Sequence, residues 1–250
     1  MSGHSKWANI KHRKAAQDSK KGNERQKLIK AIIIAAKEGG GDPGMNVRLK
    51  AALDRAKAAS VPNDTITRAI KRGTGELEGV SYEELLYEGY GVEGVAIIAE
   101  SLTDNRNRTT PEIRAILERN GGSMGTAGSV AWNFERKGNI TIEGDVDEDQ
   151  LMEDALDAGA DDVAMNEDGA LVTTDPSAMM DVREALEKKG YKIGDAEAVY
   201  TPKTTVTISN IDKARKMEKL MDLLESHDDI QSVFANFEFT DEVNEALANE

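Results

Sequence analysis

The sequence predicts an α+β multidomain protein, with an N-terminal three-helix domain followed by two ferredoxin-like α+β domains, one inserted in the other. Three observations carry this expectation. Apolar residues recur at helical spacing in three stretches before Gly73, and in mixed strand and helix patterns after it. The charge changes sign at the same place: residues up to Arg72 hold 17 Lys and Arg against 6 acids, and the remainder holds 15 against 40. Beyond residue 80 the expected elements run β-α-β, then β-α-β-β-α-β, then β-α-β, so one complete unit lies between two halves. The expected domains are residues 1–75, residues 80–135 joined to 200–240, and residues 137–198.

Residues 26–37 read as the first helix. Leu28, Ile32 and Ala35 form one stripe, and Ile29, Ile33 and Ala36 the next. Gly39-Gly40-Gly41 ends it and Asp42-Pro43-Gly44 is turn chemistry. The glycine triplet is no phosphate loop, because no Lys-Ser/Thr follows it and no strand precedes it. Residues 46–60 form a second helix with Leu49, Leu53 and Ala56 inward. In it Arg48 and Arg55, and Lys50 and Lys57, each repeat on one face over two turns. Pro62-Asn63-Asp64 opens a third helix that ends in Arg68, Lys71 and Arg72 before Gly73. Residues 73–79, rich in Gly and Glu, are the expected linker.

Residues 90–101 read as a turn and a strand around Val95-Ala96-Ile97-Ile98-Ala99. Thr110-Pro111-Glu112 is expected to open a helix that Asn120-Gly121-Gly122 closes. Val130, Trp132 and Phe134 alternate, so residues 129–134 read as a strand. In the inserted unit, strands are expected at 139–143, 162–166, 170–174 and around Val199, and helices at 148–158 and 176–189. Glu167-Asp168-Gly169 marks a hairpin. A strand at 203–209, a helix at 213–226 and a strand at 230–239 complete the second half-unit.

The formal net charge of −14 conceals a cationic head on an anionic body. Such a molecule meets a polyanion in one orientation, because the body is repelled. No cysteine is present, which removes disulfides and thiol chemistry. The longest apolar run, residues 31–36, is far too short to span a bilayer. The first residues carry no signal-peptide core, so a cytoplasmic location is expected and no membrane partner. A mitochondrial transit peptide is disfavoured, since Arg13 is the only Arg before residue 25.

The first thirty residues concentrate the candidate chemistry. Nine Lys and Arg stand there against Asp18 and Glu24, with Trp7, His4 and His12 among them. Cations neutralise phosphates and release counterions, and Trp and His stack on unpaired bases. The bland alternative is a solvated tail. Lys20, Lys21, Arg48, Arg55, Arg68, Lys71 and Arg72 extend the candidate surface along the helices. The stretch Thr103-Asp104-Asn105-Arg106-Asn107-Arg108-Thr109 allows two readings. Arg106 and Arg108, with Asn105 and Asn107, clamp an anion or RNA at a helix N-terminus, or Asp104 pairs with an Arg and the Asn side chains cap the turn.

Catalytic patterns are lacking. There is no cysteine nucleophile, and His4, His12 and His227 make no zinc spacing, so neither metal nor cofactor is expected and no small-molecule substrate is evident. Asp145-Val146-Asp147-Glu148-Asp149 lacks the glycine and distal glutamate of a calcium loop. Asp161-Asp162 and Asp228-Asp229 read as solvated loop charges.

Several stretches together carry a resemblance. Gly3-His4-Ser5-Lys6-Trp7-Ala8-Asn9-Ile10-Lys11-His12-Arg13-Lys14 resembles the opening of the YebC/PmpR family of bacterial proteins, which has a mitochondrial translational-activator branch. Residues 39–43, Pro62-Asn63-Asp64 with Arg68-Ala69-Ile70, Glu88-Gly89-Tyr90-Gly91, residues 103–109, and Gly121-Gly122-Ser123-Met124-Gly125 with Gly128-Ser129-Val130 match as well. The sequence departs from the family pattern at Glu24-Arg25-Gln26, Lys30-Ala31 and Val92. The resemblance implies one helical and two α+β domains, and a cytoplasmic, non-enzymatic factor in gene expression. It implies one of two roles: a ribosome-associated translation factor assisting elongation at proline-rich stretches, or a DNA-binding transcriptional regulator. The matching contact residues are His4, Ser5, Lys6, Trp7, Lys11, His12, Arg13 and Lys14. Ribosomal RNA or DNA is therefore the expected partner, and a monomer the expected state.

Overall fold

In the computed structural model, the structure describes residues 18–79, 81–166 and 168–248. The chain forms two compact units: Phe134–Lys203 is one, and the described residues on either side of it form the other. The architecture is α+β, with helices first and two sheet domains after them.

Helix α1 (Asp18–Gly39) begins eight residues earlier than its apolar stripe announced. Its first turns mix Lys, Glu and Arg with Asp18, Ser19, Gly22 and Asn23 and hold no apolar residue, so they leave no apolar period. Five consecutive residues, Ile32 to Ala36, are buried, so the helix is enclosed on all sides there rather than along one stripe. Helices α2 (Val47–Ala58) and α3 (Asn63–Gly73) pack against it through Leu49, Leu53, Ala56 and Ile66. Buried Asn46 caps α2 by accepting from the Leu49 N–H at 3.0 Å, and donates to Ala35 O at 2.7 Å and Gly40 O at 2.8 Å. One amide thus sews the end of α1 to the start of α2. In α3 the N-cap is Pro62, and no side chain caps it.

Gly73 is more than a stop signal. A Cβ there would lie 2.4 Å from Ile33 O and 2.6 Å from Ala36 Cβ, so the end of α3 touches the backbone of α1. Gly73→Ala is expected to cost about 1–3 kcal/mol through overpacking. An unchanged denaturant midpoint would show that the two helices part freely.

The sheet of the first unit has the order β3-β1-β2-β9, with antiparallel neighbours, where β1 is Glu83–Tyr90, β2 Ala96–Thr103, β3 Ser123–Met124 and β9 Ile230–Ala235. Strand β1 was hidden in the sequence. Its first residues are mostly exposed and acidic, and only Glu88 and Gly89 near its end are buried. Ile97 and Ala99 of β2 lie against helices α4 (Arg106–Arg119) and α7 (Ile211–Glu225) in one core with Ile113, Leu117, Met217 and Leu220. Helix α4 starts five residues before Pro111, which therefore sits inside the helix and not at its first position. The Asn105 side chain, accepting from the Arg108 N–H at 3.1 Å, sets the start instead.

The expected last strand is broken at Asn236 into β9 and β10 (Phe237–Phe239). Buried Asn236 accepts from the Ala96 N–H at 2.6 Å and donates to Thr204 O at 3.0 Å. Strand β10 then pairs in parallel with β8 (Val206–Ile208), away from the main sheet. Helix α8 (Asp241–Ala248) follows.

Of the strand expected at residues 129–134, only Phe134 is in a strand, as the first residue of the next one, and residues 129–133 are not. They form a turn that ends in a 3-10 segment, Ala131–Asn133, before β4 (Phe134–Glu143) begins. Val130 and Phe134 are buried but Trp132 is 69 % exposed, because this turn is held by hydrogen bonds to a carboxylate and not by a ladder. The inserted unit runs β4, α5 (Glu148–Asp157), β5 (Asp162–Asn166), β6 (Gly169–Thr174), α6 (Met179–Lys188) and β7 (Ile193–Pro202). Its sheet order, β5-β6-β4-β7 with antiparallel neighbours, is the ferredoxin-like arrangement. Ile140, Ile142, Leu151, Val172, Val182 and Leu186 form its core.

Candidate nucleic-acid interface

His4, Ser5, Lys6, Trp7, Lys11, His12, Arg13 and Lys14 lie outside the described residues. Lys20 and Lys21 lie in the first turns of α1, which carries the chain from that segment into the helical domain. The lysines further along α1 are engaged. Lys27 Nζ donates to Glu225 O at 2.5 Å, and Lys37 Nζ to Ser81 Oγ at 3.1 Å and Tyr82 O at 3.3 Å. Lys30 Nζ meets Asp229 at 2.6 Å and Asp228 O at 3.0 Å, and stands 5.7 Å from the centre of the Tyr82 ring.

The two basic stripes of α2 differ in environment. Arg48 bridges Glu38 and Glu84, which ties α2 to β1, and Arg55 is half-buried. Lys50 and Lys57 are exposed, as are Arg68, Lys71 and Arg72 on α3. None of these five makes an ion pair among the described residues. They are exposed cations of α2 and α3.

The 103–109 stretch divides. Asn105 is the N-cap of α4 and Arg108 pairs with Asp104 at 3.0 Å and Asp229 at 2.6 Å, whereas Arg106 and Asn107 are exposed. Asp229 is not a solvated loop charge. Its side chain is 3 % exposed and accepts from Lys30, Arg108, Thr109 (2.7 Å) and Thr103 (3.2 Å). Burial alone would raise its pKa, but Lys30, Thr109 and Arg108 prevail and hold the carboxyl well below the usual carboxylate range. The Asp229 N–H donates to His227 Nδ1 at 3.1 Å. His227 Nε2 lies 3.1 Å from Glu112 Oε2.

A second buried carboxylate shapes the turn after β3. Glu88 accepts from the N–H groups of Gly128 (2.6 Å), Val130 (2.8 Å) and Ala131 (2.8 Å). Burial opposes its ionisation, yet the three donors keep its pKa below the ordinary value. Neither Asp229 nor Glu88 could be singled out by spacing, because both partner sets are remote in sequence. Among the described residues, no group of three His, Asp or Glu is placed to hold a metal ion, and no helix is long and apolar enough to cross a membrane.

Two family models match: the N-terminal domain of TACO1/YebC proteins over residues 5–76, and their second and third domains over residues 82–237. A "probable transcriptional regulatory protein" of Dictyoglomus turgidum is 55 % identical over 250 residues, covering 99 % of this chain and 100 % of its own length. A protein of the same description from Geobacter sulfurreducens is 55 % identical over 247 residues, with the same coverage. The crystal structure of a conserved hypothetical protein from Aquifex aeolicus superposes with a TM-score of 0.84 at 44 % identity, covering 92 % of this chain and 95 % of that one.

Proposed function

Because the chain belongs to the TACO1/YebC family, we propose that it is a non-enzymatic, nucleic-acid-binding regulator of gene expression that works on the ribosome. In this reading the basic N-terminal segment enters ribosomal RNA and assists elongation at proline-rich stretches. The observation that carries the reading is the separation of charge. The helical domain presents Lys50, Lys57, Arg68, Lys71 and Arg72 to solvent, while the chain beyond Arg72 holds 15 basic against 40 acidic residues. Irregular RNA offers phosphates and unpaired bases at once, which suits cations interleaved with Trp7, His4 and His12. The proline-stretch role follows from the family resemblance of the opening motif.

The test is sedimentation with ribosomes at physiological salt. The full chain is expected to co-migrate and a chain lacking residues 1–14 to stay at the top of the gradient. Full retention of the truncated chain would overturn the reading.

The relatives' description favours a second reading, a promoter-binding regulator with α3 and its Arg68, Lys71 and Arg72 against DNA. It requires that one promoter fragment outcompete random duplex by about 10³-fold. Equal competition by any duplex reduces DNA binding to charge alone.

A further inference from the structure

The lysines of α1 that bond to the sheet domain lie at positions 27, 30 and 37, within one sector of the helix about 80° wide at 100° per residue. Lys27 reaches Glu225 O, a carbonyl of the last turn of α7, where helical carbonyls lack intrahelical donors and the helix dipole favours a cation. Lys37 holds the turn before β1. Between them, Lys30 pairs with the carboxylate of Asp229, and the pair is enclosed, with 12 % and 3 % of the two side chains exposed. Asp229 is itself held from the other side by Arg108, Thr103 and Thr109, all from β2 and α4. It is a fixed point of the sheet domain to which α1 is pinned.

We propose that Asp229 is the positioning residue that sets the direction in which α1 presents the basic N-terminal segment. Helix α1 is continuous from Asp18 to Gly39, about 33 Å at 1.5 Å per residue, so its tilt at Lys30 sets the position of its N-terminal end at Asp18, the point from which the basic segment departs. Enclosed charges are screened little by salt, whereas exposed phosphate contacts weaken steeply with it. The aim of α1 is therefore maintained at salt concentrations that release nucleic acid. Its consequence for binding rests on the nucleic-acid reading above; the pinning itself does not.

The absence of native cysteine permits a direct measurement. Spin labels at Ala58→Cys on α2 and Glu118→Cys on α4, both exposed positions, report the distance between the helical domain and the sheet domain. The parent is expected to give one narrow distribution, the same at 0.1 and 0.5 M salt. Asp229→Asn and Lys30→Gln are each expected to broaden or shift it while helicity by circular dichroism is kept. Arg108→Ala, which removes a partner of Asp229 that does not belong to α1, is expected to leave it narrow. A parent-like distribution in both latch variants overturns the proposal, as does equal broadening by Arg108→Ala. In the same samples, Lys30→Gln is expected to weaken binding to a ribosomal RNA fragment about tenfold with an unchanged salt slope, since orientation and not a phosphate contact is lost. If the parent fails to bind RNA, the functional reading falls while the distance measurement still decides the pinning.

Discussion

Replacing Lys6, Lys11, Arg13 and Lys14 together by alanine is expected to weaken binding to structured RNA by roughly 10²- to 10³-fold at 0.1 M salt. The effect is large because each cation that neutralises a phosphate releases counterions. Four lost contacts also lower the slope of log affinity against log salt by about three. The slope is the sharper measurement. A variant that merely folds less well loses affinity at every salt concentration and keeps its slope. An unchanged slope would move the contact surface to Lys50, Lys57, Arg68, Lys71 and Arg72, and the same experiment on alanine variants there would decide. Because Lys27, Lys30 and Lys37 already serve the sheet domain, changing them should leave the slope intact.

Asp229→Ala is expected to destabilise the first unit by about 3–5 kcal/mol, the cost of removing one partner from a buried ion pair. The loss exceeds that of an ordinary surface pair because four groups lose a shared acceptor at once: the Lys30 ammonium, the Arg108 guanidinium and the Thr103 and Thr109 hydroxyls. Urea unfolding should show a lowered midpoint. The pH dependence follows from the depressed carboxyl. Its stabilisation is complete above the unfolded carboxylate value of about 3.9 and is lost as pH falls towards the lower folded value. The stability gap between parent and Asp229→Asn should thus be constant near neutrality and narrow below about pH 4. A gap that stays constant into strong acid would mean that the charge of Asp229 contributes nothing.

Where one face of an element is buried, the sequence was sufficient to place it. Leu49, Leu53 and Ala56 marked α2, and the alternation of residues 139–143 marked part of β4. It failed where backbone groups are satisfied from afar. Trp132 continued the period of Val130 and Phe134, yet Glu88 draws the turn out of any ladder. Pro111 looked like a helix start, yet Asn105 caps the helix six residues earlier. At the candidate interface, charge composition marked the head of the chain, but it could not separate cations that face solvent from those already paired. Arg48 and Lys50 are two residues apart with like charge, and only Arg48 finds Glu38 and Glu84. Arg106 and Arg108 divide in the same way around Asp229.

By itself the sequence determined the α+β class, the helical head, the insertion of one unit within another and the polarity of charge along the chain. These follow from local periodicity, turn chemistry and composition, all of which act within a few residues. Only the tertiary structure decided that Asp229 and Glu88 are buried anchors and that α1 is pinned to the sheet domain through Lys27, Lys30 and Lys37. A buried charge is tolerable only beside its partners, and the partners of Asp229 stand at residues 30, 103, 108 and 109. No local rule of sequence spans that separation.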